Sequence, residues 1–216
     1  MSGTNRDEPS QDAGWRSACR IGGGAALVSL LASLATMVVL FTVGGPPETA
    51  EETFTVLRDS RIEGLFRLEL LTLFNVGAYY LWFFGLYAAL KRTDDAFSAL
   101  ATLLAFAGVT LFLASHPLGS LITLSDRWAV AATEAQRQQL LAAGEAIMAA
   151  DMWHSTGAAF GGLIIECGAI VISLVMLRST IFSRTTAWVG LATHGLDLTQ
   201  ILLGIFVPAV KVAIMM

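Results

Sequence analysis

Residues 21–43 read IGGGAALVSLLASLATMVVLFTV, a stretch without a single charged side chain. Wound as an α-helix, it exceeds the roughly 20 apolar residues needed to cross the hydrocarbon core of a bilayer. It is too long for the h-region of a cleaved leader, and the polar stretch before it, Met1 to Gln11, is too acidic and too long for an n-region. Residues 1–20 are therefore expected to form a disordered polar tail ahead of a first membrane span.

Four further segments match this pattern. The expected spans are 21–43, 69–90, 97–124, 153–177 and 185–208. The third is interrupted only by His116-Pro117, the fourth contains Glu166 and the fifth contains Asp197. The backbone has no water to bond to inside lipid, so these segments must be helices, and the alternation of a membrane β-barrel is absent. The fold class is all-α: a polytopic transmembrane helical bundle of five spans, forming one domain over 21–216. Composition agrees. Of 216 residues, 55% are hydrophobic and 14% charged, against about 25% charged in a soluble domain, and the mean hydropathy is +0.67. The formal net charge of −4 and the absence of a basic stripe argue against a nucleic-acid partner; the bilayer is the expected one. Cys19 and Cys167 are too far apart in the chain's topology to read as a disulfide framework.

Lysine and arginine placement orients the spans. Arg6, Arg16, Arg20, Lys91, Arg92, Arg178 and Arg184 lie on the N-terminal side, packed into short turns at the span ends. Arg58, Arg61, Arg67, Arg127, Arg137 and Lys211 lie on the other side, diluted by acidic residues. The N-terminus is thus expected in the cytoplasm. Trp15, Trp82, Tyr87, Trp153 and Trp188 fall near span ends, as an aromatic belt requires. Short turns at 91–95 and 178–184 predict antiparallel hairpins of spans two and three and of spans four and five. The two outside loops contain amphipathic stretches, 48–67 with Phe54, Leu57 and Leu65, and 133–150 with Leu140, Leu141, Ile147 and Met148. Each predicts a helix that connects spans, lies on the membrane surface or caps the bundle.

Gly157 and Gly161 form a GxxxG spacing, with Ala158 and Gly162 in the same register, that lets two helix backbones approach closely. Gly190, Gly195 and Gly204 nominate the fifth span as the partner within the chain; a homo-oligomer through the Gly157/Gly161 face is the alternative.

Polar groups inside the spans are the candidate chemistry. An ionised side chain at mid-bilayer costs about 2.5–3.5 kcal/mol on insertion scales, so it is expected to face inward and find a partner. Glu166 and Asp197 both fall near the middle of their helices. His194, three residues before Asp197, shares its face, and Thr193 and Gln200 extend a polar edge. Glu166, His194, Asp197 and Gln200 are therefore expected to form one buried cluster. It would act either as a proton relay or cation site or as a hydrogen-bonded staple between helices. A second, outer group joins Glu69, His116 and His154, with Asn75 nearby. It could bind a metal or, through the two histidines, a haem; alternatively, His116-Pro117 marks only a kink. No catalytic fingerprint, phosphate loop or cofactor motif is present.

Cys19-Arg-Ile-Gly-Gly23, Glu63-Gly-Leu-Phe-Arg-Leu-Glu-Leu-Leu71 and Arg178-Ser-Thr-Ile-Phe-Ser-Arg-Thr-Thr-Ala-Trp-Val-Gly190 together resemble an uncharacterised bacterial family of multi-pass integral membrane proteins, known only as a domain of unknown function. The resemblance implies a bacterial cytoplasmic-membrane location and brings no functional residues with it. The leading functional expectation is a non-catalytic structural or partner-binding bundle. The alternatives are a proton- or cation-coupled transporter or channel subunit using Glu166, His194 and Asp197, and an intramembrane haem or metal protein using His116 and His154.

Overall fold

The computed structural model describes residues 8–150 and 155–206. His154, Trp153, Pro208 and Lys211 lie outside the described residues. The described residues form helices joined by turns, without strands: α1 (Glu8–Thr42), α2 (Ala50–Asp59), α3 (Arg61–Arg67), α4 (Leu70–Leu90), α5 (Asp95–Ala114), α6 (Leu118–Ala129), α7 (Glu134–Met148), α8 (Thr156–Arg178) and α9 (Arg184–Phe206). Five stretches are long and apolar enough to cross a membrane: Ala13–Thr42, Leu70–Leu90, Asp95–Ala129, Thr156–Arg178 and Arg184–Phe206.

Two boundaries differ from expectation. Helix α1 starts at Glu8, so residues 8–20 are helical rather than a disordered tail; polarity identifies a segment that leaves lipid, not one that leaves the helix. The third apolar stretch is two helices rather than one. Pro117 has no N–H to donate and its ring clashes with the preceding turn, so α5 ends at Ala114 and α6 restarts at Leu118. His116 Nδ1 accepts the Leu118 N–H at 3.1 Å, which satisfies one of the donors freed at the new helix start.

The chain divides into two compact units: residues 8–28, 78–109 and 161–206 form the first, and 29–77, 110–150 and 155–160 the second. In the first unit, the core joins Phe83 and Leu90 of α4, Ala101 and Ala105 of α5, Ala169, Ile172, Val175 and Met176 of α8, and Ala187 of α9. Lipid is as apolar as leucine, so close backbone packing rather than burial from water draws these helices together. Small residues set the crossings. Gly22 of α1 faces Gly85 of α4 so closely that a Cβ on Gly22 would lie 2.5 Å from the Gly85 Cα. On α8, Gly168 meets the Ala101 carbonyl, and Gly108 of α5 meets the Gly161 carbonyl. Arg178 reaches Asp94 at 3.6 Å, and Tyr87 donates to Asp95 at 3.0 Å, which fastens the α4–α5 turn. Cys19 and Cys167 are both unpaired.

In the second unit the amphipathic loop segments pack on one another. Ser60 divides the first into α2 and α3: its N–H closes α2 on the Val56 carbonyl, and its hydroxyl caps α3 by accepting the Glu63 N–H. Thr49 and Thr133 cap α2 and α7 in the same way, accepting the Glu52 and Gln136 N–H groups. Ala50, Phe54 and Leu121 are buried together, with Leu141, Ile147, Met148 and Trp128 against them. Gly144 leaves room for Phe54; a Cβ there would lie 2.7 Å from its Cζ. Ser125 donates to the Phe54 carbonyl at 3.2 Å, and Arg61 pairs with Asp126. Glu52 accepts the Glu48 N–H and pairs with Arg67; that backbone bond first, and the guanidinium second, hold its carboxyl below the usual range.

Glu145 Oε1 accepts the N–H of Ala50, a residue with no exposed surface, at 2.7 Å. It places a carboxylate on the first turn of α2, where orphan N–H groups and the helix dipole favour a negative charge. Glu145→Ala is expected to lower stability by about 1–2 kcal/mol, and Glu145→Gln by less because an acceptor remains. Thermal unfolding in detergent checks this. An unchanged midpoint for Glu145→Ala would show that the bond contributes nothing.

Candidate functional site

Glu166 stands near the middle of α8, with His194 and Asp197 near the middle of α9. Two faces of α8 position them. Gly161, Ile165 and Gly168 turn toward α5, where Gly108, Ala101 and Ala105 receive them. Gly162, Glu166 and Ser173 turn toward α9, where Gly162 meets Ile201 and Ser173 meets Gly190. Of the small residues expected to bring α8 against α9, Gly162 and Gly190 lie at that contact, whereas Gly157 and Gly161 do not. Gly161 packs on α5, Gly157 faces Ser115, and neither Gly195 nor Gly204 has an atom within 4 Å of where a Cβ would be. The spacing encodes a close approach but not the partner. A different, adjacent face of α8 holds α9, and that face carries the glutamate.

His194 Nδ1 lies 2.7 Å from Glu166 Oε2. One donor atom from each of Glu166, His194 and Asp197 falls within 4.8 Å of the others. The three expected residues thus come together. The Glu166 side chain is 14% exposed and that of His194 30%, and Asp197 is exposed, so the cluster is sheltered on the α8 side and open beyond Asp197. Gln200 and Thr193 are exposed too, rather than buried in the cluster. The sequence reading missed Tyr79, midway along α4. Its phenol lies in the electrostatic field of both Glu166 and Asp197, and its ring packs against the core and edge-on to Trp82 at 5.4 Å. A tyrosine at mid-depth was the only signal available, because nothing in the sequence says that α4 lies alongside α8 and α9.

Distance decides what this cluster suits chemically. Two ligands on one tetrahedral zinc at 2.0–2.2 Å are about 3.3 Å or more apart. Glu166 Oε2 and His194 Nδ1, at 2.7 Å, stand at hydrogen-bond distance, closer than two ligands of one zinc. Asp197 supplies a second acceptor within reach, and the histidine's Nε2 remains a second protonation site.

The outer group is only partly assembled. Glu69 and His116 line one cavity of about 70 Å³ beside Arg67 and Pro117. That is room for about two waters and well below the roughly 300 Å³ of small-molecule sites. Glu69 occupies the left-handed region at φ 61, at the junction of α3 and α4. Asn75 turns away to donate to Ser33 on α1 at 3.2 Å.

Five membrane-length apolar helices with a polar cluster at mid-depth define a multi-pass membrane protein. No family model matches the chain, nor does any curated protein or solved structure.

Proposed function

We propose that the protein carries protons across a bacterial cytoplasmic membrane, as a transporter or channel subunit, through Glu166, His194 and Asp197, with its N-terminus in the cytoplasm. The observation that supports this most is the 2.7 Å Glu166–His194 bond at mid-depth of two adjacent helices, with Asp197 beside it. Intramembrane ionisable groups are costly, and a hydrogen-bonded histidine–carboxylate pair with a further carboxylate in reach is the kind of linked set a relay uses. The clustering of Arg16, Arg20, Lys91, Arg92, Arg178 and Arg184 at one set of span ends supports the orientation.

The test is proton flux into liposomes containing the purified full chain and a pH-sensitive dye. Wild type should dissipate an imposed gradient faster than empty liposomes. Asp197→Asn and His194→Ala should slow this on the order of a hundredfold, the usual contribution of one positioned proton-transfer group. Wild-type flux equal to that of empty liposomes, or full flux in Asp197→Asn, would remove the proposal.

A second reading, a partner-binding bundle, rests on α9. Asp197 and Gln200 are exposed between Leu196, 70% exposed, and Leu202 and Leu203. A carboxylate open at mid-bilayer is stabilised by a partner's donor as well as by water. Absent flux together with Asp197-dependent co-purification of a second membrane protein would favour that reading.

A further inference from the structure

Helix α9 is the least covered of the five spans, and Ala187 is its one buried residue. Ala187, Gly190, His194 and Ile201 mark the side that meets the rest of the first unit. Beside that side runs a second stripe. Thr193, Asp197, Gln200 and Gly204 follow one another at spacings of four, three and four. On a helix of 3.6 residues per turn they fall within about 60° of arc. Thr193, Asp197 and Gln200 are exposed, and a Cβ at Gly204 would meet nothing within 4 Å. Gln200 has no hydrogen-bond partner among the described residues. Asp197 is exposed although it stands with Glu166 and His194. Val189, Leu196 and Leu203, spaced by seven, are exposed along the stripe's outer edge.

Polar side chains at mid-depth are stabilised by hydrogen bonds across helices, and small residues admit a close approach. The stripe repeats every 3.5 residues on average, the period of a left-handed helix pair, so it suits contact along a partner helix rather than at one point.

We propose that this stripe joins α9 to α9 of a second copy of the chain. Hydrogen-bond complementarity favours a copy over other occupants. A lipid tail offers Asp197 and Gln200 nothing, and a cationic partner would satisfy Asp197 alone. The stripe can satisfy itself, because an amide and a hydroxyl each donate and accept while a carboxylate accepts. Two copies in one membrane share a topology, so a twofold axis along the membrane normal lays the two helices parallel and brings equal depths together. Gln200 of each copy then faces its counterpart, one turn from the other copy's Asp197. Two carboxylates at one level repel unless a donor stands between them, and the Gln200 amides are the donors nearest that level. Gly204 leaves room for the approach one turn further on. The inference deepens the partner-binding reading of α9 by naming the partner, and it holds whether or not protons pass.

The experiment is Förster transfer between full chains labelled at the C-terminus with donor or acceptor, reconstituted in phosphatidylglycerol–phosphatidylcholine liposomes and diluted with lipid. Wild type should show transfer above that of a monomeric membrane protein at equal density, falling on dilution as a dimer dissociates. Gln200→Leu should weaken association roughly threefold to tenfold, and Asp197→Leu with Gln200→Leu should weaken it further. Asp197→Asn keeps a hydrogen-bonding group on the stripe and should stay dimeric; it is also expected to slow proton flux, so the two properties separate in one variant. Gly204→Leu should weaken association. Gly195→Leu, on the opposite side of α9 and also without an atom within 4 Å of its Cβ, should not. Circular dichroism of both glycine variants should match wild type, which shows that each folds. Wild type without transfer above the density control would overturn the inference and leave the stripe to lipid or to a different membrane protein. So would Gln200→Leu associating as tightly as wild type, or Gly195→Leu associating as weakly as Gly204→Leu. Dilution-dependent transfer in wild type without proton flux would support the dimer while removing the proton path.

Discussion

His194→Ala is expected to destabilise the folded protein by about 2 kcal/mol, whereas replacing both Glu166 and His194 by leucine restores most of that loss. Breaking a buried pair by removing one partner typically costs about 3–5 kcal/mol, because the remaining group is stranded; replacing both partners by apolar groups is often neutral. The 30% exposure of His194 places this site below the full figure. Stability read by denaturant titration in mixed micelles checks the prediction. Equal losses in the single and double variants would mean that the 2.7 Å contact carries no coupling. The same variants separate the two roles of the cluster. A mere staple predicts that the leucine pair is stable and that flux was never present. A relay predicts that the leucine pair is stable and has lost the flux seen in wild type.

The second large effect concerns the α5–α8 crossing. Gly108→Ala should lower stability by about 2–3 kcal/mol, and Gly108→Leu should prevent accumulation of folded protein. A Cβ at Gly108 would lie 2.5 Å from the Gly161 carbonyl oxygen and 2.8 Å from the Ile165 backbone nitrogen. Both are main-chain atoms of a regular helix and cannot rotate aside as a side chain would. Gly195→Ala is the control: nothing lies within 4 Å of the added methyl, so its midpoint should stay within about 0.5 kcal/mol of wild type. Thermal unfolding and yield in detergent read both. A Gly108→Ala protein as stable as Gly195→Ala would mean that α5 and α8 do not meet at Gly108 and Gly161.

Depth and periodicity made part of this legible before any coordinates. Glu166, His194 and Asp197 could be placed at one level because helical rise converts position into depth, and the three-residue spacing put His194 and Asp197 on one face. Lateral order was not legible. Hydrophobic pattern separates membrane from water but does not rank one lipid-facing stripe against another, so the GxxxG at Gly157 did not reveal that its face would meet α5. For the same reason Tyr79 stayed unassigned. Pro117 did announce a break, yet not that α6 would pack with α2 and α7; that follows from its own amphipathic pattern, which buries Leu121 and Ser125. The helical start at Glu8 was hidden because charge density reports solvation and not backbone conformation.

The proposed relay turns on whether Glu166 and His194 share a titrating proton. Infrared difference spectroscopy of the reconstituted protein, taken between acid and alkaline buffer, measures this at the carboxyl C=O stretch. The account predicts one component of the wild-type carboxyl band that is lost in Glu166→Gln and shifts in His194→Ala, because the imidazole is its hydrogen-bond partner. A Glu166→Gln spectrum that superimposes on that of wild type, or a Glu166 component unshifted in His194→Ala, would contradict it.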